Sequence, residues 1–142
     1  MKKLILFAVF LPFATHQKAF KKEFNSTNLL EVRAGDWPIN LEKNNNLSKP
    51  AFSLIFRDQQ VLTGVMMDTL EFPDLGQLKY FGKALTVLKT GNNGDIAKFK
   101  DYSLKRAEKK YEGVWYILRI KFGLTDFRQP EADLMINTIK DL

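Results

Sequence analysis

Between Lys98 and Lys121 the chain interleaves cations with rings: Lys98, Lys100, Lys105, Arg106, Lys109, Lys110, Arg119 and Lys121 accompany Phe99, Tyr102, Tyr111 and Trp115. That combination suits single-stranded nucleic acid, because cations track phosphates while rings stack on bases. The residues that would carry such contacts are Lys98, Lys100, Tyr102, Lys105, Arg106, Trp115, Arg119 and Lys121. Asp101, Glu108 and Glu112 dilute the patch, and a solvated sheet face with lysines guarding its edge has the same composition.

Other chemistries have fewer residues to draw on. The chain has no cysteine, which removes disulfides, thiolate metal ligands and cysteine nucleophiles, and its single histidine, His16, lies in the N-terminal stretch. No nucleophilic triad is therefore available. Ser26, Ser48, Ser53 and Ser103 stand in no recognisable nucleophile context. Asp68, Glu71, Asp95, Asp101 and Asp126 are too scattered for their spacing to define a pair of catalytic carboxylates. The segment Thr90 to Asp95, TGNNGD, lacks the alternating acids of a calcium loop and is not a phosphate loop; a helix stop followed by a turn explains it. No catalytic residue, metal ligand or cofactor is expected.

The 142 residues carry a formal charge of +6, and Lys2 and Lys3 precede an apolar run from Leu4 to Leu11. A basic start and a short apolar core fit a secretory signal better than a membrane span, which needs about 20 apolar residues. Residues 1–19 are expected as a signal peptide, 20–28 as a linker and 29–142 as one domain. Loss of Lys2, Lys3 and Lys18 with the leader takes three from +6 and leaves +3. The chain is then secreted or periplasmic with no transmembrane segment; if the segment is not a signal, it is a short buried strand or helix of a cytoplasmic chain, or an uncleaved anchor.

The elements that must position these residues are legible by period. Val114, Tyr116, Leu118, Ile120 and Phe122 fall two apart and give one strand face, with Trp115, Ile117, Arg119 and Lys121 on the other. Leu124 to Phe127 follows as a short strand or turn, with Gly123 as its punctuation. Pro130 then opens a helix with Glu131 and Asp133 in its first turn, Lys140 in its last, and Ala132, Met135, Ile136 and Ile139 as its apolar stripe. Upstream, Leu29 to Arg33 and Trp37 to Leu41 read as a hairpin, Glu42 to Pro50 as a loop, and Phe52, Leu54 and Phe56 as one strand face. Val61 to Phe72 reads as a further strand with a bulge at Gly64. Asp74 and Gln77 form a capping box, Phe72 is placed to staple onto Leu78, the stripe is Leu78, Phe81, Leu85 and Leu88, and Gly91 ends the helix. Asp95 to Lys105 is extended with a break near Lys100, and Ala107 to Gly113 is a polar connection.

This order predicts an α+β fold: an antiparallel sheet of about six to eight strands, curved or in two sheet-then-helix parts, with two packed helices. Phe52 to Thr63 and Trp115 to Thr125 share an aromatic start, an apolar run holding Arg57 or Arg119, a turn and Leu-Thr. The layout is similar in architecture to the Whirly and PUR-type single-strand-binding modules, although no sequence motif of either is present. The expected function is non-catalytic: an exported domain that binds a protein or other envelope partner through an exposed sheet face bearing Trp115, Ile117, Arg119 and Lys121, with Arg57 from the matching half. Single-stranded nucleic-acid binding is the alternative.

Overall fold

Apolar residues two apart give each strand one face to bury, and two 15- and 12-residue helices supply the surface that covers them. The structure, a computed structural model, describes residues 26–46 and 50–142; the expected leader, with His16, lies outside them. In chain order the elements are β1 (Ser26–Ala34), β2 (Trp37–Asn44), β3 (Phe52–Arg57), β4 (Met67–Phe72), α1 (Leu75–Lys89), β5 (Ile96–Lys98), β6 (Tyr102–Lys109), β7 (Gly113–Ile120), β8 (Leu124–Arg128) and α2 (Gln129–Lys140). They form two antiparallel four-stranded meanders, β1-β2-β3-β4 and β5-β6-β7-β8, each followed by its helix. The fold is α+β, with eight strands and two helices among the described residues, and the two halves have the same topology.

Phe52, Leu54 and Phe56 of β3 and Tyr116 and Leu118 of β7 are all buried, so the third strand of each half presents the face that its period predicts. Helix α1 starts where Asp74 Oδ1 accepts the Gln77 backbone N–H at 2.9 Å, and its whole expected stripe is buried. Phe72 packs edge-on against Phe81, at 5.4 Å between ring centroids, rather than serving only as a staple to Leu78. Glu131 caps α2 by accepting from the Arg128 N–H at 2.9 Å, while Asp133 pairs with Lys89 of α1 at 2.9 Å.

Several boundaries differ from the sequence reading. β1 begins at Ser26, inside the stretch read as linker, and β2 runs on to Asn44. β6 continues through Ala107 to Lys109, because its outer-face residues are polar while Leu104 and Arg106 face inward. Only Met67–Phe72 of the long Val61 to Phe72 run is a strand, and Gly64 lies in the preceding loop. Phe122 is in the β7–β8 turn and 74% exposed. Thr90 is the C-cap of α1, and Gly91 follows without adopting positive φ.

The helices join the halves. α1 packs on β4 and β5 and also on β6; α2 packs on β7 and β8 and also on β1. They touch where Gly82 faces Ile139: a Cβ on Gly82 would stand 3.1 Å from Ile139 Cγ2. Both helices and both sheets therefore line one core, which runs from Val32 and Leu54 to Leu118 and Ile139.

Two outcomes follow from this packing. Gly82→Val pushes the helices apart at their closest approach and is expected to cost about 1–3 kcal/mol in urea unfolding. Lys89 and a Gln129 amide hold Asp133 below its ordinary pKa, chiefly through the hydrogen bond from Lys89. A lowered carboxylate stabilises the fold above its unfolded pKa and loses that contribution as pH falls through the folded value. Lys89→Met should therefore flatten the acid side of a melting-temperature profile below about pH 4.

Candidate functional site

The end of the molecule where the β3–β4 loop meets the β7–β8 turn gathers most of the unusual chemistry. Asp58, directly after β3, is only 3% exposed. Its Oδ1 accepts the backbone N–H of Gln60 at 2.9 Å and of Leu124 at 3.2 Å. Gln59 adds a backbone bond to the Leu124 carbonyl at 2.8 Å, and its side-chain amide donates to Thr125 Oγ1 and Asp126 Oδ1 at 3.1 and 3.2 Å. This short turn clips the first sheet onto the last strand of the second.

The same turn closes its own loop, because the Asp58 N–H donates to the Met66 carbonyl at 2.8 Å. Segment 61–66 therefore leaves the sheet instead of extending β4. It carries Leu62, Val65 and Met66 at 90%, 54% and 51% exposure, followed by Met67 at 45%. Across the clip, the β7–β8 turn presents Phe122 with Lys121 beside it, the ammonium 5.1 Å from the ring centroid. Arg57 stacks on Trp37 at 4.6 Å and points a guanidinium N–H at the Gly64 carbonyl, 3.4 Å away. Arg119 donates to Gln60 Oε1 at 3.3 Å. The result is two loops joined at their bases, each carrying exposed apolar side chains, with Arg57, Arg119 and Lys121 beside them.

Behind the tips the carboxylates turn inward. Asp68, at the start of β4, lies against Asp58; burial first, then the Asp58 charge and the hydrogen bond between the two side chains, raise the Asp68 pKa above its ordinary value. Gly123 makes room for them, since a Cβ there would overlap the Asp68 carboxylate and sit 3.0 Å from its Cγ.

Beside this end an open groove of about 780 Å³ separates the free edge of β4 from the β5–β6 and β7–β8 turns. Lys98, Lys100, Tyr102, Arg119 and Lys121 line it, so five of the eight residues expected for nucleic-acid contacts come together. Three do not. Lys105 stands on the outer face of β6 opposite Ile117. Arg106, expected on the basic surface, is a correction: it is 6% exposed, pairs with Glu108 and faces inward on the same side as Leu104. Trp115 is half-buried, its ring covered by Lys109 Nζ at 3.7 Å and its indole N–H enclosed without a partner among the described residues. One ring face is thus already occupied, which corrects the expectation of an open stacking platform. Tyr102 is also committed elsewhere, stacked on Phe99 at 4.5 Å and packed against Phe72 and Phe81.

Of the residues expected on a partner-binding sheet face, Arg57, Arg119 and Lys121 reach the loop end, whereas Trp115 and Ile117 lie further along β7. Leu62, Val65, Met66 and Phe122 were missing from that set. Their signal was present in the sequence: apolar residues from Val61 to Met67 follow no two-residue alternation, and Phe122 directly precedes Gly123. The TGNNGD segment closes on itself, with Asp95 Oδ2 accepting the Asn92 N–H at 2.7 Å and Asn93 Oδ1 accepting the Glu108 N–H at 2.9 Å.

The carboxyl pair gives a pH test. A raised folded pKa stabilises below the unfolded value of about 3.9, and the contribution is lost as pH rises through the folded pKa. Asp68→Asn removes the charge that burial and the neighbouring Asp58 disfavour, so it should stabilise the chain at neutral pH and change little near pH 3, read by urea unfolding. No family model, curated protein or solved structure matches this chain.

Proposed function

We propose that this chain is a non-catalytic binding domain, working in a secreted or periplasmic setting, which meets an envelope partner with its loop end. The observation that carries the reading is the exposure of Leu62, Val65, Met66 and Phe122 together on two tied loops. Isolated apolar residues on a surface are ordinary, but several grouped within a polar rim mark an interaction site. Arg57, Arg119 and Lys121 supply that rim. Asp58, buried and held by two backbone amides, suits a structural bracket better than acid–base catalysis.

A second reading has its own support. The groove beside β4 brings Lys98, Lys100, Arg119 and Lys121 together with the exposed ring of Phe122, which suits a single strand of nucleic acid.

Compartment and affinity separate the two. The first reading expects a shortened native chain outside the cytoplasm, by intact mass of each cell fraction, and Phe122→Asp should reduce its retention in the envelope fraction while changing stability by less than about 0.5 kcal/mol. A full-length chain confined to the cytosol would remove it. The second expects binding of a labelled single-stranded oligonucleotide whose log affinity falls with log salt at a slope of about −3, as four phosphate contacts require. A flat salt response would exclude the groove as a phosphate site.

A further inference from the structure

We infer that the partner of the loop end is the surface of an anionic lipid bilayer, with Leu62, Val65, Met66 and Phe122 entering the interface and Arg57, Arg119 and Lys121 at the headgroups. The inference rests on the reading of this end as the binding end and names what it binds.

Shape is the first argument. A protein–protein interface is a broad, closely packed patch of complementary shape, whereas these side chains stand on two narrow loops, and Leu62 is 90% exposed. Protruding apolar tips without a matching recess fit a deformable partner. The side chains themselves are aliphatic, thioether and phenyl groups with no hydrogen bond to satisfy, which can leave water without cost at the headgroup–acyl boundary.

Charge is the second. Arg57 flanks the β3–β4 loop, and Arg119 and Lys121 flank the β7–β8 turn. Lys100 and Asp101, in the β5–β6 turn, add one charge of each sign; Tyr102 just after that turn pairs with Ile120 just before the β7–β8 turn, so both turns lie at the same end. Of the acids at this end, Asp58 is 3% exposed and Asp126 accepts from Gln59, so both are held against the protein, whereas Arg119 and Lys121 are exposed. A positive rim around apolar tips complements anionic headgroups and is screened by salt.

Backbone chemistry limits the depth. Irregular loops carry N–H and C=O groups that hydrocarbon cannot satisfy, so only side chains pass the headgroups and the loop backbone stays wet. Among the described residues no helix is long and apolar enough to cross a membrane, and none is needed for this mode of attachment.

The test uses the full chain with vesicles of phosphatidylcholine and phosphatidylglycerol, against phosphatidylcholine alone, read by flotation. Preferential binding to the anionic vesicles is expected. The double variant Leu62→Asp, Phe122→Asp should weaken it by more than about tenfold, since burying each side chain is worth that order of affinity. Arg119→Gln and Lys121→Gln should each weaken it about fivefold at low salt. Lys83→Gln on the exposed side of α1 should change nothing, and unchanged melting curves exclude misfolding as the cause. The inference is overturned if the native chain does not float, or if the double variant floats equally well. A photoreactive residue at position 62 separates its failure from that of the underlying reading. Crosslinking to a protein instead of lipid overturns the membrane assignment and leaves the binding end standing, whereas no crosslink to either, with envelope retention insensitive to Phe122→Asp, removes both.

Discussion

Asp58 is the constraint on which the arrangement depends. A carboxylate this deeply buried is tolerated only with donors around it, and it finds them in two backbone amides, that of Gln60 in its own turn and that of Leu124 in β8. Among the described residues the sheets share no strand pairing. Their relation at this end is set by a single turn, Asp58 to Gln60, and by the side chains that it aligns: Gln59 on β8 and Arg119 on Gln60. Everything displayed beyond the clip, including the two apolar tips and the cations around them, inherits its position from it.

That dependence joins stability to display. The space left by Gly123 admits the Asp68 carboxylate, and its partial burial near Asp58 raises its pKa above the ordinary value. On the opposite flank, at Trp115, a ring and a cation that read as a free binding surface are largely satisfied by each other, Lys109 lying on the indole face.

The sequence was most informative where one face of an element had to be dry. The stripes of α1 and α2 and the inward residues of β3 and β7 followed from period alone, because burial imposes period. The loop end was the least legible part. Val61 to Met67 is apolar without alternating, a pattern that resembles a strand buried on both faces, and only the bond from the Asp58 amide to the Met66 carbonyl shows that it loops out. Arg106 misled for a related reason: an inward position on β6 looks the same as an outward one when its neighbours Lys105 and Ala107 supply no contrast. Convergence of Arg57 with Arg119 required knowledge of how two sheets are joined, which no local pattern carries.

The crossed packing of the helices has a consequence for cooperativity. Halves of equal topology invite description as two repeats, each able to stand alone, as in a solenoid. Here α1 leans on β6 and α2 on β1, and Gly82 and Ile139 lock the helices together at the centre. Neither half keeps its covering layer if the other opens, so partial unfolding exposes apolar surface on both. Two like pieces thus make one thermodynamic unit that melts in a single transition, and division of the chain between the halves would leave neither with a complete core.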